Sequence, residues 1–253
     1  MARSSNRVSS SGLRGAHVLI TGAAQRIGRE IALQLAAGGA DTVITYLRSR
    51  AAAERTAADL ASYGVRAWAL RCDVREERQI RRTVREAVAR LGSLDLLINN
   101  AALYETVSVQ KMTVRQWDDM FNTNVRGPFL MSRACLPHLQ ASQGRIINLG
   151  SLGGVRPWIS HAHYCQSKAA LHMQTQLLAK AFAPEVAVNC VAPGMIDVGE
   201  HKSSAFMKKL AHRTPMRRNG SAAEVAATVR LVAEMPHVVT GQIFVVDGGL
   251  GLV

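Results

Sequence analysis

The sequence predicts a single α/β domain built on a doubly wound parallel sheet. Three observations carry that prediction. Short apolar runs alternate with longer segments of helical period along nearly the whole chain. Those runs are bounded by turn signals, as buried strands are. Polar or small residues (Thr21, Arg48, Asp73, Asn99, Ser151 and Pro193) recur where the runs end. Ligands of such sheets bind at the carboxyl ends of the strands.

A chain of 253 residues is long enough for one large core. The apolar share of 48% and the charged share of 19% are those of an ordinary globular domain. No apolar run reaches the ~20 residues of a membrane span. Met1 to Gly15 is rich in Ser and Arg, has no acid and no apolar stretch, and is read as a disordered tail before a domain running 16–253. Cys72, Cys135, Cys165 and Cys190 lie far apart without a metal spacing, which fits a reduced, cytoplasmic protein. The net charge is +13, with arginines scattered through many predicted helices and no stripe interleaved with aromatics. A basic surface that attracts anionic cofactors or substrates is expected, not a nucleic-acid groove.

His17–Thr21 (HVLIT) opens the chain as a buried strand. It runs into TGAAQRIG, Thr21 to Gly28, and then into a helix with Ile27, Ile31 and Leu35 in helical period. Strand, turn and helix N-terminus together aim free N–H groups and the positive helix end at a pyrophosphate. Gly22 and Gly28 allow the backbone close approach, and Arg26 stands where a middle glycine is expected. Gly22, Gln25, Arg26, Ile27 and Gly28 are therefore candidate cofactor contacts. Thr42–Tyr46 is the second strand. A fold that prefers NAD places Asp or Glu near this strand's end for the ribose 2′-hydroxyl; here Leu47, Arg48 and Ser49 follow. A guanidinium and a hydroxyl suit a 2′-phosphate that a carboxylate would repel. NADPH is expected over NADH, with Arg48 and Ser49 on the phosphate.

Ala51–Tyr63 reads as an Ala-rich helix and Ala67–Cys72 as the third strand, with Asp73 and Val74 at its end. Asp73 is a candidate either to accept from an adenine amino group or to cap the helix Glu76–Arg90. Asp95–Ile98 is the fourth strand. The small stretch Asn99 to Ala102 lets a cofactor pass over the strand ends, with Asn100 and Ala101 as its candidate contacts. Met112–Arg133 reads as a long helical region whose interior holds Asn122, Thr123 and Asn124; a mid-helix Asn is neutral to unfavourable, which points to a special role there. Arg145–Leu149 is the fifth strand, with Ser151 just past it. Tyr164–Ala181 is a helix and Val186–Val191 the sixth strand, followed by Pro193, Gly194 and Ile196 as further candidate contacts. From 197 to 215 the pattern weakens, as in a lid or substrate loop. The helix Ala222–Ala233 and the strand Gln242–Val246 close the fold.

The chemistry is expected between Ser151 and Lys168. Tyr164 and Lys168 are four apart, on one helix face. A nearby cation lowers a phenol's pKa from about 10 toward working pH. Such a phenol beside a hydroxyl can give a proton to a carbonyl or imine that is receiving hydride. His161 and His163 form a His-x-His with no third ligand in sight, where structural zinc takes four; no metal is assigned. The two are expected to line the substrate pocket, or His163 to be solvated, and His172 to lie on the helix surface or at an interface. Cys165 is read as a small buried hydrophobe. Trp117 and Trp158 are read as core or pocket wall, Trp158 within reach of substrate.

In this order the motifs resemble the short-chain dehydrogenase/reductase family, of Rossmann-type fold, from about His17 to the C-terminus. The matching pieces are Thr21 to Gly28, Asn99-Asn100-Ala101, Asn124, Ser151, Tyr164 with Lys168, Pro193-Gly194 and Val246 to Gly249. The resemblance implies that Tyr164 donates or accepts the proton and that Lys168 lowers its pKa and binds the nicotinamide ribose. It implies that Ser151 orients the substrate oxygen, Asn124 holds a relay water behind Lys168, and Asn99 helps position the cofactor. It also implies a homotetramer with the helices around Asn124 and Lys168 at an interface. Arg26, the Arg48-Ser49 pair and Ser221 to Val225 are similar to pteridine reductases, which prefer NADPH. Ser151 and Leu103-Tyr104 depart from the trypanosomatid members of that branch, which carry Asp and a pterin-stacking Phe there. Met195 to Val198 replaces a Thr that many family members use on the nicotinamide amide. The expected function is NADPH-dependent hydride transfer to a small carbonyl or C=N substrate, a pteridine among the candidates. The alternatives are a 3-oxoacyl-thioester or broad ketone/alcohol oxidoreductase, and a non-catalytic dinucleotide sensor.

Overall fold

A computed structural model describes residues 12–198 and 205–253. Seven strands form one parallel sheet in the order β3-β2-β1-β4-β5-β6-β9. They are β1 (His17–Ile20), β2 (Asp41–Tyr46), β3 (Ala67–Arg71), β4 (Leu96–Asn99), β5 (Arg145–Leu149), β6 (Ala187–Pro193) and β9 (Ile243–Val246). The central strands are buried along their whole length, whereas β3 and β9 at the two edges keep partial exposure. Helices cover both faces: α1 (Arg26–Ala37), α2 (Arg50–Ala61), α3 (Glu77–Leu91), α4 (Val114–Phe121), α5 (Gly127–Ser142), α6 (Ala162–Phe182), α7 (Ala205–Arg213) and α8 (Ala222–Glu234).

The pleat divides the core in two. Val18, Ile20, Leu96, Ile98 and Ile147 pack toward Ile31 and Leu35 of α1 and Val225, Val229 and Val232 of α8. Leu19, Leu97, Ile146 and Val188 point the other way, onto Ile80 and Val84 of α3, Met131, Cys135 and Leu139 of α5, and Leu178 of α6. Strand order reverses between β1 and β4, which opens a crevice at their carboxyl ends. Many of the scattered arginines sit in surface ion pairs, among them Arg29–Asp59, Arg81–Glu77, Arg90–Glu86 and Arg218–Glu224.

The long helical region after β4 is three pieces. Thr113 opens α4 with a reciprocal capping box to Gln116. The turn then widens to a π-helix over Asn122–Arg126 before α5, which runs on past Arg133 to Ser142. The wider turn carries one extra residue and places Asn124 inward, 1% exposed. In the expected substrate loop, residues 199–204 lie outside the described residues. On either side of them, β7 (Ile196–Asp197) pairs with β8 (Gly220–Ser221), and α7 begins at Ala205. Among its described residues α7 buries no side chain, so it leaves no apolar period to read. Residues 1–11 of the expected tail lie outside the described residues, but Leu13 is 2% exposed and sits in the core against Gly38. The packed chain therefore begins before the boundary expected at 16.

Candidate active site

The turn after β1 is held open by hydrogen bonds from the turn after β4. Thr21 Oγ1 accepts from the backbone N–H of Asn100 and of Ala101, each at 3.0 Å. Asn100 Nδ2 donates to the carbonyls of Thr21 and Gly22 at 3.0 and 2.9 Å. Gly22 has φ +65, and a Cβ there would sit 2.8 Å from Ala101 Cα. A Cβ on Gly28 would meet Asn100 Nδ2 at 2.5 Å and the Gly22 carbonyl at 2.7 Å. Only glycine lets α1 close onto this turn.

The N-terminus of α1 is bare. Gln25 at the N-cap is extended and exposed, makes no side-chain cap, and the first turn holds no acid. In contrast, α4 and α8 are closed by capping boxes, Ser221 with Glu224 in the latter. An uncapped first turn keeps N–H donors for an anion. The bare backbone and uncapped helix end fit a dinucleotide pyrophosphate. Ile27 packs against the core, while exposed Arg26 takes φ 55, a left-handed conformation that costs a non-glycine residue about 1 kcal/mol.

Arg48 and Ser49 are exposed past the end of β2, and Ser49 makes no side-chain cap on α2. Asp73 is ion-paired to Arg75. Its carboxylate accepts from Arg75 Nη2 at 2.8 Å, from Arg75 Nε at 3.0 Å and from the Arg75 N–H at 3.0 Å. The Arg75 hydrogen bond holds its pKa down, and the α3 N-cap is Glu76, not Asp73. Val74 turns its side chain into the core beside Gly127. Asn99, expected near the cofactor, points into the core: its Nδ2 donates to Ser132 Oγ at 3.2 Å and Asn148 Oδ1 at 2.9 Å. Strand alternation sends it to the α5 face, and Asn100 shapes the turn in its place.

Ser151, Tyr164 and Lys168 do meet. Ser151 Oγ accepts the Gly153 N–H at 3.0 Å, and a Cβ on Gly153 would lie 3.4 Å from Ser151 Oγ and 3.6 Å from Tyr164 Cε1. Lys168 is 3% exposed; its Nζ donates to the Leu149 carbonyl at 2.6 Å and lies 5.7 Å from the Tyr164 ring centre. Burial pushes the Tyr164 phenol up to about 12, against a lowering by Ser151. Burial pushes Lys168 down to about 8. The expected lowering of the phenol by Lys168 does not appear in this balance: the ammonium makes its nearest contact with the Leu149 carbonyl, and burial is the largest influence on Tyr164. Asn124 clamps the chain after β4, accepting from Leu103 N at 2.7 Å and donating to Leu103 O at 2.9 Å and Ser167 Oγ at 3.0 Å.

Aromatic rings wall the tyrosine. Tyr104 stacks on His161 at 4.7 Å and meets Tyr164 edge-on at 4.9 Å. Trp158 meets His161 edge-on at 6.0 Å, while Trp117 stacks on Phe121 within α4. His161 is also hydrogen-bonded to Thr106 Oγ1 and Ser160 Oγ. His163 does not meet solvent: it is 0% exposed, with Glu105 Oε2 4.0 Å away. His172 is not at the surface; it is 5% exposed beneath Ser151. The spacing of four from Lys168 and eight from Tyr164 was the signal for it. Cys165 is buried beside Gly153. Among the described residues no group of three His, Cys, Asp or Glu could hold a metal, and no helix is long and apolar enough to cross a membrane. Pro193 pairs with Val246 at the end of β6, Gly194 backs onto Asp247, and Ile196 backs onto Gly220.

A family profile described as enoyl-(acyl carrier protein) reductase matches residues 22–251. The chain is 33% identical over 237 residues to 3-oxoacyl-[acyl-carrier-protein] reductase FabG of Staphylococcus aureus, covering 92% of this chain and 96% of that protein. It is 33% identical over 238 residues to the 3-oxoacyl-[acyl-carrier-protein] reductase of Synechocystis, covering 92% and 95%. A dehydrogenase/reductase structure from Sinorhizobium meliloti superposes with TM-score 0.91 at 32% identity, covering 96% of this chain and 98% of the other. A short-chain dehydrogenase/reductase from Serratia marcescens gives 0.89 at 31% identity, covering 94% and 99%. These relatives do not support the pteridine branch drawn from Arg26; they favour the 3-oxoacyl alternative. With the parallel sheet and the Ser151–Tyr164–Lys168 constellation, they establish that the chain belongs to the short-chain dehydrogenase/reductase family of oxidoreductases.

Proposed function

We propose that this chain is an NADPH-dependent carbonyl reductase whose substrates are 3-oxoacyl thioesters. The observation that carries the reading is the meeting of Ser151, Tyr164 and Lys168 at the carboxyl edge of the sheet, beside a bare, uncapped helix N-terminus. The names of the relatives support the substrate class. Exposed Arg48 and Ser49, with no acid at their position, support the 2′-phosphate.

In this reading Gly22, Gln25, Arg26, Ile27 and Gly28 hold the pyrophosphate, with Asn100, Ala101, Pro193, Gly194 and Ile196 flanking the nicotinamide half. Asp73 and Val74 border the adenine through their backbone. The nicotinamide supplies hydride to the carbonyl carbon. Ser151 donates its hydroxyl hydrogen to the carbonyl oxygen, while one lone pair of Oγ is engaged by the Gly153 N–H. Tyr164, a neutral phenol throughout the working range, gives its proton to the forming alkoxide, which is a far stronger base than a phenolate. Lys168 in its charged form stabilises the phenolate left behind. Asn124 keeps the loop before Tyr104 in register with α6. A cytoplasmic homotetramer belongs to the same reading, with exposed Phe129, Met173 and Leu177 on α5 and α6 as part of the face for a second copy.

The mechanism fixes a pH dependence. Lys168 is charged below about 8 and neutral above it, while Tyr164 keeps its proton to about 12. Ketone reduction should fall as pH rises through about 8, with a one-proton limb in kcat/KM. A profile flat to pH 10 (roughly the ordinary lysine range) would remove Lys168 from this role. The substrate class is tested by NADPH oxidation with an acetoacetyl thioester in one cuvette and dihydrobiopterin in another. Turnover of the thioester is expected; turnover of the pterin alone would overturn the proposal.

A further inference from the structure

We propose that His172 is a positioning residue that fixes the main chain of Ser151 and so aims its hydroxyl at the substrate carbonyl. The inference rests on the reading of Ser151 as the group that orients that carbonyl. On α6, Tyr164, Lys168 and His172 follow one another at four-residue steps, so one stripe of the helix faces the corner where β5 ends. Lys168 grips that corner at the Leu149 carbonyl, 2.6 Å from Nζ. His172 grips it two residues later: its Nε2 accepts the Ser151 N–H at 3.4 Å. Gly150 adds a third tie, its N–H donating to the Val191 carbonyl at 2.8 Å.

The socket is shaped around the imidazole. A Cβ on Gly150 would lie 2.4 Å from His172 Nε2, and a Cβ on Gly154 would lie 2.6 Å from Cε1. Both glycines flanking the Ser151 turn are thus bare where the ring presses in. Burial first, and the Lys168 charge second, push the His172 pKa down to about 4, so the ring is neutral and its Nε2 keeps the lone pair it needs. Ser151 itself is 4% exposed, so without His172 its amide has no water to turn to. With the main chain held on both sides and the Gly153 N–H on Oγ, the Ser151 hydroxyl hydrogen is aimed to the Tyr164 side, where the substrate carbonyl would take it.

Two variants separate positioning from packing. His172→Leu fills much of the volume without an acceptor; His172→Gln restores an acceptor close to where Nε2 lies. In the Leu variant kcat should fall about 10-fold with KM and NADPH affinity held within about 2-fold, and the Gln variant should recover to within about 3-fold. In a Ser151→Ala background the Leu change should add little, because its effect passes through Ser151. Amide hydrogen exchange of the cofactor-free protein supplies a readout that needs no substrate: the Gly150–Gly153 segment should exchange faster in the Leu variant and at the wild-type rate in the Gln variant. Unchanged exchange there, or a full additional loss in the Ser151→Ala background, would overturn the role of His172. A wrong substrate assignment would leave the exchange result standing.

Discussion

Tyr164→Phe should lower kcat for ketone reduction by about 10³-fold while NADPH still binds. The substitution removes one oxygen and keeps the ring that Tyr104 meets edge-on at 4.9 Å. Folding and the aromatic wall should therefore survive, and a thermal melt should move little. The chemical loss is large because no other described group is placed to give the proton. Lys168 Nζ is turned to the Leu149 carbonyl, and the Ser151 hydroxyl is a far weaker acid than a phenol. The check is stopped-flow reduction with NADPH binding followed separately by its fluorescence. A kcat within about 3-fold of the wild type would sink the proton-donor role and revive a non-catalytic dinucleotide sensor.

Arg48→Asp should invert the cofactor preference. The guanidinium is exposed past β2, so its loss costs little stability. A charge-assisted bond to a 2′-phosphate contributes about 1.5–3 kcal/mol, roughly 10- to 150-fold in kcat/KM for NADPH. The new carboxylate adds repulsion toward NADPH and a hydrogen-bond acceptor for the free ribose of NADH. The ratio of kcat/KM values for the two cofactors reads both effects at once. An unchanged ratio would place the 2′-phosphate elsewhere, and Arg26 would be the next guanidinium to test.

The strands and the order of their ends were legible because burial on both faces writes itself as apolar runs. The turn between β1 and α1 was legible from two glycines, and the structure shows what each one admits: Ala101 at Gly22, and Asn100 at Gly28. The pieces that escaped share a cause, which is that a neighbour in space decides them. Whether Asn99 or Asn100 faces the crevice depends on which face of β4 meets α5, a parity that the uniformly apolar run Leu96, Leu97, Ile98 hides. The π-helix at Asn122 looks like ordinary helix until Asn124 must reach the Leu103 backbone. In α7 no described side chain is buried, so no period could announce it. At Tyr164 the spacing gives proximity to a cation but not desolvation, and burial is the largest influence on the phenol. The Asp73–Arg75 ion pair escaped because Arg75, two residues on, looks like one more surface arginine in the sequence.

The account turns on one transfer, a hydride from NADPH to a substrate carbonyl carbon with the proton supplied at Tyr164. The most direct measurement gives the purified protein NADPH deuterated at the transferable position together with an acetoacetyl thioester, and locates the label by mass spectrometry. A 3-hydroxyacyl product bearing one deuterium on its carbinol carbon is the predicted result, absent in Tyr164→Phe. Product without label at that carbon, or labelled product formed equally by Tyr164→Phe, would contradict it.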